Sequence, residues 1–396
     1  MSLVRRSIHD VAIVGAGMVG AALALALARA GFDVAVVEPR APKPLQAADD
    51  VDLRVVALAP SSAELFARLD VWHAIAASRV CAYRHMRVWD ALAPGELSFA
   101  AADSGMAALG FIVENRLIQC VLWQALQAQA DISLRCPARV TATDSDAQRR
   151  TLMLDDDSVL TARLVVAADG ADSALRDLLG IATRDHEYGQ RAIVAHVATE
   201  RTHTDTAWQR FVLGGTIAFL PLTDGRSSIV WSMPNAEAER LLALDDTAFC
   251  NELGAAFDFR LGTITATTPR AAFPLRRKLA ERYIAPRFAL IGDAAHVVHP
   301  LAGQGVNLGL RDVDELCAAL NLARDAKRDF AAESVLRQYE RRRRSDNALS
   351  AHAFEAIQRL FANDAMPVAA LRGAGLALVN RIEPLKRLFA AHAAGH

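Results

Sequence analysis

Val11-Ala-Ile-Val-Gly15-Ala-Gly17-Met-Val-Gly20, running on through Ala21 to Ala30 and Gly31 into Val34-Ala-Val-Val37-Glu38, decides the fold. Val11 to Val14 is a short apolar strand. Gly15-x-Gly17-x-x-Gly20 is a tight turn. Ala21 to Ala30 is almost all Ala and Leu, strong helix formers, and Gly31 stands where a helix C-cap glycine belongs. Val34 to Val37 is a second strand. Strand, glycine turn, helix and strand in that order predict a βαβ unit and a parallel sheet. The first glycine permits the turn, the second lets backbone approach a pyrophosphate, and the third permits close helix–strand packing. The helix N-terminus then offers free N–H groups and a positive dipole end to phosphate. Glu38 follows the second strand, where a carboxylate can accept from adenosine ribose hydroxyls. Val11 to Ala28 carries no charge and has about the minimum length of a membrane span. Three glycines interrupt it and most of the rest is alanine, so a buried strand–turn–helix explains it better.

This motif does not separate NAD from FAD; the far end of the chain does. Phe288-Ala-Leu-Ile291 reads as a strand ending at Gly292-Asp293, within Leu290-Ile-Gly-Asp-Ala-Ala-His296, and Pro300-Leu-Ala-Gly-Gln-Gly-Val-Asn307 follows. A carboxylate at a strand end can accept from the ribityl hydroxyls of a flavin. Backbone N–H groups of Gly303, Gln304, Gly305, Val306 and Asn307, opening the next helix, can face the flavin pyrimidine edge. That edge becomes negative on reduction, and a helix N-terminus stabilises it. The alternative is a chance acidic turn beside a glycine loop. His296 and His299 have no evident third ligand, so no metal is expected and ordering of this loop is the better reading.

Between these ends, Ser61 to Leu69 and Arg116 to Ala130 read as helices, and Leu164-Val-Val-Ala-Ala168 as a buried strand ending at Asp169-Gly170. From Tyr188 to Pro234 the pattern changes. Ala192 to Val197, Phe211 to Leu222 bent at Gly214-Gly215, and Ile229 to Ser232 predict a mostly antiparallel sheet. Residues 312 to 360 are dense in Ala, Leu, Arg and Glu, as long helices require. The 396 residues suggest two or three domains. Hydrophobic residues at 53% and charged residues at 22% fit a globular chain, and a net charge of −1 calls for no nucleic acid. Cys81, Cys120, Cys136, Cys250 and Cys317 are scattered and odd in number, as in a cytosolic protein with reduced thiols. Met1 to Asp10 lacks the layout of a secretory signal. A cytoplasmic location is the expectation.

These residues carry a resemblance. Gly15/Gly17/Gly20, Glu38, Asp169-Gly170, and Gly292-Asp293 with Pro300 are similar to landmarks of the single-component aromatic hydroxylases of the para-hydroxybenzoate hydroxylase type. The match to the ubiquinone-biosynthesis hydroxylases is closer. It lies in Asp52-x-Arg54-x-x-Ala57-Leu58, Gln209-x-Phe211, Ala218-x-x-Pro221-Leu222, Ile229-Val-Trp231, and Gly292-Asp-Ala-Ala-His296 running through Gly303-Gln-Gly-Val-Asn-Leu-Gly309. The resemblance implies an α/β fold: a Rossmann-like FAD-binding domain with a parallel sheet, a mostly antiparallel substrate sheet and C-terminal helices. The FAD domain would comprise residues 1–75, 105–183 and 271–330, the substrate domain 76–104 and 184–270, and the helical region 331–396. Arg54 would lie near the FAD phosphates, unless it is an ordinary surface arginine. Asn115, in Val113-x-Asn115-x-x-Ile118, would approach the flavin, where many small-aromatic hydroxylases carry Arg; a core or cap role is the alternative. Val140 would offer backbone to the adenine. Asp169 would touch FAD and passing NAD(P)H, or be a plain turn residue before Gly.

The implied reaction is hydroxylation of an aromatic ring of a polyprenyl phenol or quinol. NAD(P)H, binding transiently without its own Rossmann domain, reduces FAD, and O₂ then gives a flavin C4a-hydroperoxide. The pocket would lie between the FAD domain and the sheet block, with Pro300 at its floor. No catalytic acid or base is identifiable. Three rivals stay open: a hydroxylase of small soluble aromatics, for which Arg191 and Arg210 are the candidate carboxylate grips; a same-fold flavin dehydrogenase or reductase; and an assembly subunit without turnover. The basic run Arg341-Arg-Arg-Arg344, with Arg381, Lys386 and Arg387 among Leu360, Phe361, Leu385, Leu388 and Phe389, hints at peripheral contact with the inner face of the cytoplasmic membrane or with other biosynthetic enzymes. A solvated helix face explains the same residues.

Overall fold

The computed structural model describes residues 8–46, 48–93, 95–298, 305–362 and 373. Strand β1 (Ile8–Val14) passes through the glycine turn into helix α1 (Met18–Arg29), and β2 (Val34–Val37) returns parallel to β1, Val11 opposite Val34 and Val14 opposite Val37. Gly31 ends the helix at φ +81, a left-handed conformation that glycine adopts without steric cost. Val11, Ile13, Leu23, Leu27 and Val34 to Val37 are fully buried. At about 1.5–3 kcal/mol for each large apolar side chain removed from water, this packing explains why Val11 to Ala28 is uncharged. Among the described residues no helix is long and apolar enough to cross a membrane.

The nucleotide sheet runs in the order Ile284–Ala285, Phe288–Leu290, Val159–Ala167, β1, β2, Ile132–Arg135. From Phe288–Leu290 to Ile132–Arg135 the neighbouring strands are parallel. The strands Val140–Ser145 and Arg150–Leu154 form a hairpin on Val159–Ala167. The far-end strand Phe288–Leu290 therefore lies two places from β1, which brings the loop after Leu290 beside the glycine turn. α1 packs on the helix Gly305–Asp325, and that helix on Glu333–Ala362.

The second sheet contains Ala271–Ala280, Thr183–Thr199, Ser227–Pro234, Gly215–Pro221, Thr206–Val212, His85–Asp90 and Glu96–Ala100 in that order. Its pairs are antiparallel except Thr206–Val212 with His85–Asp90. The bend at Gly214-Gly215 is a hairpin turn. Side chains alternate across the sheet. Ile193, Ile217, Phe219, Ile229 and Trp231 pack against Phe249, Leu253 and Phe257 of the helical segment over one face. Ala192, Val194, Ala218 and Val230 occupy the other face, which turns toward the nucleotide unit: the His196 ring meets the Asp52 carbonyl at 3.1 Å. A three-stranded antiparallel sheet, Val55–Leu58, Gly110–Glu114 and Cys81–Tyr83, sits between. The five cysteines are free thiols.

Candidate functional site

Gly15 has φ +100, and a Cβ there would lie 2.3 Å from the Ala168 carbonyl oxygen. A Cβ on Gly20 would lie 2.0 Å from the carbonyl oxygen of Gly15. Both glycines are thus fixed by backbone crowding. Gly17 is different. Its φ of −65 suits any residue, and a Cβ there would meet nothing within 4 Å. The space in front of α1 is open, as a cradle for phosphate must be. Glu38 closes the turn: its Oε2 accepts from the Ala16 N–H at 2.6 Å and its Oε1 from the Arg40 N–H at 3.1 Å. The Glu38 carbonyl accepts from the Ala138 N–H, which sets Val140, the first residue of its strand, close by. Asp169 sits against Gly15, whose added Cβ would lie 2.8 Å from the Asp169 nitrogen. Burial pushes its carboxyl above the usual carboxylate range.

A second group assembles around the loop after Leu290. Asp293 faces open space yet is crowded by protein on its other sides, and this desolvation raises its carboxyl, with His296, Arg54 and Arg276 pulling the other way. Arg54 is exposed, with its guanidinium 5.5 Å from the Phe273 ring centroid. Its carbonyl accepts from the Asn115 N–H at 3.0 Å. Asn115 opens the helix Asn115–Ala128, and its side-chain Oδ1 has no hydrogen-bond partner among the described residues. The two groups touch. A Cβ on Gly309 would lie 2.7 Å from Val19 of α1 and 3.2 Å from the Gly292 Cα, and one on Gly292 3.3 Å from Val19. Gly305 and Val306 open the helix that carries Gly309. Pro300, Gly303, Gln304 and His299 lie outside the described residues.

The Asn307 side chain has a structural task beside the backbone role expected of this residue. The carboxamide points into the core, accepting from the Ala59 N–H at 2.9 Å and the Ser62 hydroxyl at 2.8 Å and donating to the Ala57 carbonyl at 2.9 Å. It clamps the helix start to the Ala57-Leu58 strand, and only its backbone is left for a ligand. Sequence reasoning missed the buried partners of these loops. Glu114, buried, pairs with Arg79 at 2.8 Å and accepts from the Asp52 N–H at 2.6 Å. Asp312, with no exposed surface, accepts from the Gly292 N–H at 2.9 Å, from the Arg343 Nε–H at 2.7 Å, and contacts His296 Nε2 at 2.6 Å. Burial raises its carboxyl, but His296 and Arg343 outweigh it and hold the group below its ordinary value. The signal was faint: one acid of three, with Asp314 and Glu315, inside a helical run.

The donors and acceptors suit FAD. Among the acceptors of the two groups are Glu38, Asp169, Asp293 and the Asn115 carboxamide; Asn115 Oδ1 and Asp169 Oδ1 are buried without a protein hydrogen-bond partner, while Asp169 Oδ2 accepts from the Leu175 N–H at 3.3 Å. Buried polar atoms in native proteins are nearly always paired. Ribose and ribityl hydroxyls and the flavin ring N–H are donors, while the N–H groups at the two helix starts match the phosphates and the electron-rich ring edge.

Comparison with known proteins agrees. The family model described as FAD binding domain matches residues 9–350. The 3-demethoxyubiquinol 3-hydroxylase of Escherichia coli (strain K12) is 39% identical over 386 residues, 98% of each chain. The ubiquinone hydroxylase UbiL of Rhodospirillum rubrum is 40% identical, over 98% of this chain and 90% of its own. The structure of P. aeruginosa PqsL in complex with 2-aminobenzoylacetate superposes with a TM-score of 0.77 at 25% identity, covering 93% of this chain and 99% of that one. With fold, site and relatives in accord, the chain belongs to the FAD binding domain family and, within it, to the FAD-dependent hydroxylases of ubiquinone biosynthesis.

Proposed function

We propose that this chain hydroxylates an aromatic ring of a polyprenyl phenol or quinol, using NAD(P)H and O₂. The observation that carries the substrate class is the character of the sheet face turned toward the nucleotide unit. Ala192, Val194, Ala218 and Val230 form a small apolar patch on it, bordered by the neutral polar Thr216, Ser232 and Gln209. Arg191 and Arg210, the candidate grips for an aromatic acid, share the opposite face with Ile193 and Ile217 and are engaged there. Arg191 lies 3.8 Å from Glu239, and Arg210 donates to the Ala256 carbonyl at 2.8 Å. A neutral, greasy ring suits that face better than a carboxylate.

Bound FAD supplies the electron transfer and the oxygen activation. In this reading Gly15, Gly17 and Gly20 admit its pyrophosphate to the start of α1. Glu38 takes the ribose hydroxyls, Val140 offers backbone to the adenine, and Asp169 and Asp293 accept from the remaining hydroxyls. Arg54 stands by the phosphates, and Asn115 by the ring. Backbone N–H groups of Gly303, Gln304, Gly305, Val306 and Asn307 face the ring edge, with Pro300 at the pocket floor. The proposed FAD unit takes in residues 1–75, 105–183 and 271–330, of which Ala271–Ala280 pairs with Thr183–Thr199 in the second sheet. Electron-rich phenols need little beyond exclusion of water and a hydrogen bond to the hydroxyl, so the chain's task is placement.

Membrane contact would follow from a lipid-like substrate. The basic run offers less than its sequence suggests, because Arg343 is buried and Arg342 pairs with Glu315 at 3.2 Å. Arg341, Arg344, Leu349 and Leu360 remain exposed on the helix; Arg381, Lys386, Arg387, Leu385, Leu388 and Phe389 lie outside the described residues. Flotation with anionic vesicles at low salt tests that contact. The substrate test measures NADH or NADPH oxidation by the FAD-loaded protein. Addition of a demethoxy-quinol or prenylated phenol should stimulate it, with label from ¹⁸O₂ entering the ring. Stimulation by soluble aromatic acids alone would overturn the proposal.

A further inference from the structure

The geometry points to His296 and Asp312 as a positioning pair that aims the flavin-binding loop without touching the flavin, an inference that rests on the FAD reading above. Three segments meet at the Asp312 carboxylate. Oδ2 receives the Gly292 N–H at 2.9 Å and lies 2.6 Å from His296 Nε2, so it grips both ends of the turn that carries Asp293. Oδ1 receives Arg343 Nε–H at 2.7 Å from the helix Glu333–Ala362. Asp312 itself belongs to the helix whose first turn begins at Gly305. One buried charge thereby fixes the Asp293 carboxylate relative to the N–H groups of Gly305 to Asn307.

His296 and Asp312 are 1% and 0% exposed. A buried carboxylate must keep its partners, so this junction has one arrangement rather than several. Arg343 is further held by Asp346 at 2.6 Å and Asn347 at 2.7 Å. Tyr339 of the same helix donates to the Leu290 carbonyl at 2.8 Å, just before the turn. The Asp293 turn is thus pinned from beneath by groups that have no access to a ligand. Around bound metals, partners one layer behind the contacting groups commonly tune affinity about 10–100-fold, and the same orienting logic applies to this turn.

The test compares His296→Leu with His296→Gln. Leucine fills the space without a donor; the glutamine amide can still donate to Asp312. FAD dissociation constants and the midpoint potential of the bound flavin are measured for both, with Arg342→Ser as a surface control. His296→Leu should weaken FAD binding at least about tenfold. It should weaken the reduced form about tenfold more than the oxidised, which is a fall of about 30 mV for a two-electron couple. His296→Gln should recover most of both losses. Should the leucine protein fail to fold, Arg343→Lys keeps the charge but removes Nε–H, and a shift in the same direction is expected. Unchanged affinity and potential in His296→Leu, or a glutamine variant no better than leucine, would overturn the proposal. Native protein that takes up no FAD would instead sink the flavin reading, and this inference with it.

Discussion

The Asn307 carboxamide accepts a hydrogen bond from the Ser62 hydroxyl at 2.8 Å, joining residues 245 apart in the chain. With the Ala57 and Ala59 bonds it makes three buried contacts from one side chain that has no exposed atoms to spare. Leaving their partners unsatisfied costs more than the bonds themselves contribute. Asn307→Ala should lose about 2–4 kcal/mol of stability in urea unfolding of the apoprotein. FAD affinity should fall as well, because the helix start is no longer anchored.

The three glycines of the turn should separate into two classes. Gly20→Ala drives a Cβ to 2.0 Å from the Gly15 oxygen, and overpacking against backbone should cost the apoprotein at least about 2 kcal/mol. Gly17→Ala meets no protein atom within 4 Å. The apoprotein should lose no more than about 1 kcal/mol, the penalty of a poorer N-cap, while FAD titration shows a large loss of affinity. A Gly17→Ala protein that binds FAD normally would place the pyrophosphate elsewhere.

The nucleotide fold was legible because its signals are local. Val11 to Glu38 contains its strands, turn, helix and cap within one window, and most of its residues, Gly17 excepted, are fixed by burial or backbone geometry. The substrate sheet was legible as strands, but not in its facing. Whether Arg191 and Arg210 point at a ligand depends on register across Thr183–Thr199, Ser227–Pro234 and Gly215–Pro221, and a one-residue slip reverses it. The arginine run at 341–344 was only partly legible for a related reason. Charge composition does not say which side of a helix is buried, and Arg343 lies on the inner side. Asp312 left almost no trace, since its role comes from partners at positions 292, 296 and 343.

Asp293 should make stability and cofactor binding oppose each other. Crowding holds its carboxyl above the ordinary value of 3.8, so the folded apoprotein disfavours the charged form. The sign follows by linkage: Asp293 detracts nothing below 3.8, and stability falls as pH rises from there through the raised folded value. Asp293→Asn apoprotein should therefore unfold at higher urea than the native apoprotein at pH 7. The gap should close as pH falls toward 3.8. The same variant should bind FAD more weakly, because an acceptor has been weakened. Equal stability at pH 7 would show that the carboxylate is well solvated in its recess.

Arg343 and Arg344 are neighbours in sequence with opposite consequences. Arg343 is 4% exposed and supplies the ionic partner of the fully buried Asp312, whereas Arg344 is exposed. Arg343→Met removes one member of a buried pair and strands the other, a change that typically costs about 3–5 kcal/mol. Arg344→Ser should stay within about 0.5 kcal/mol of the native protein. The acid limb gives a second check. Asp312 is held below its ordinary value, so it contributes stability above that value that is lost as pH falls through the lower folded one. Without Arg343 that depression shrinks, and the acid-induced loss of stability attributable to Asp312 should become smaller. If Arg343→Met unfolds with the native midpoint at neutral pH, the carboxylate has found another partner and the pair is not what holds the flavin loop to the C-terminal helix.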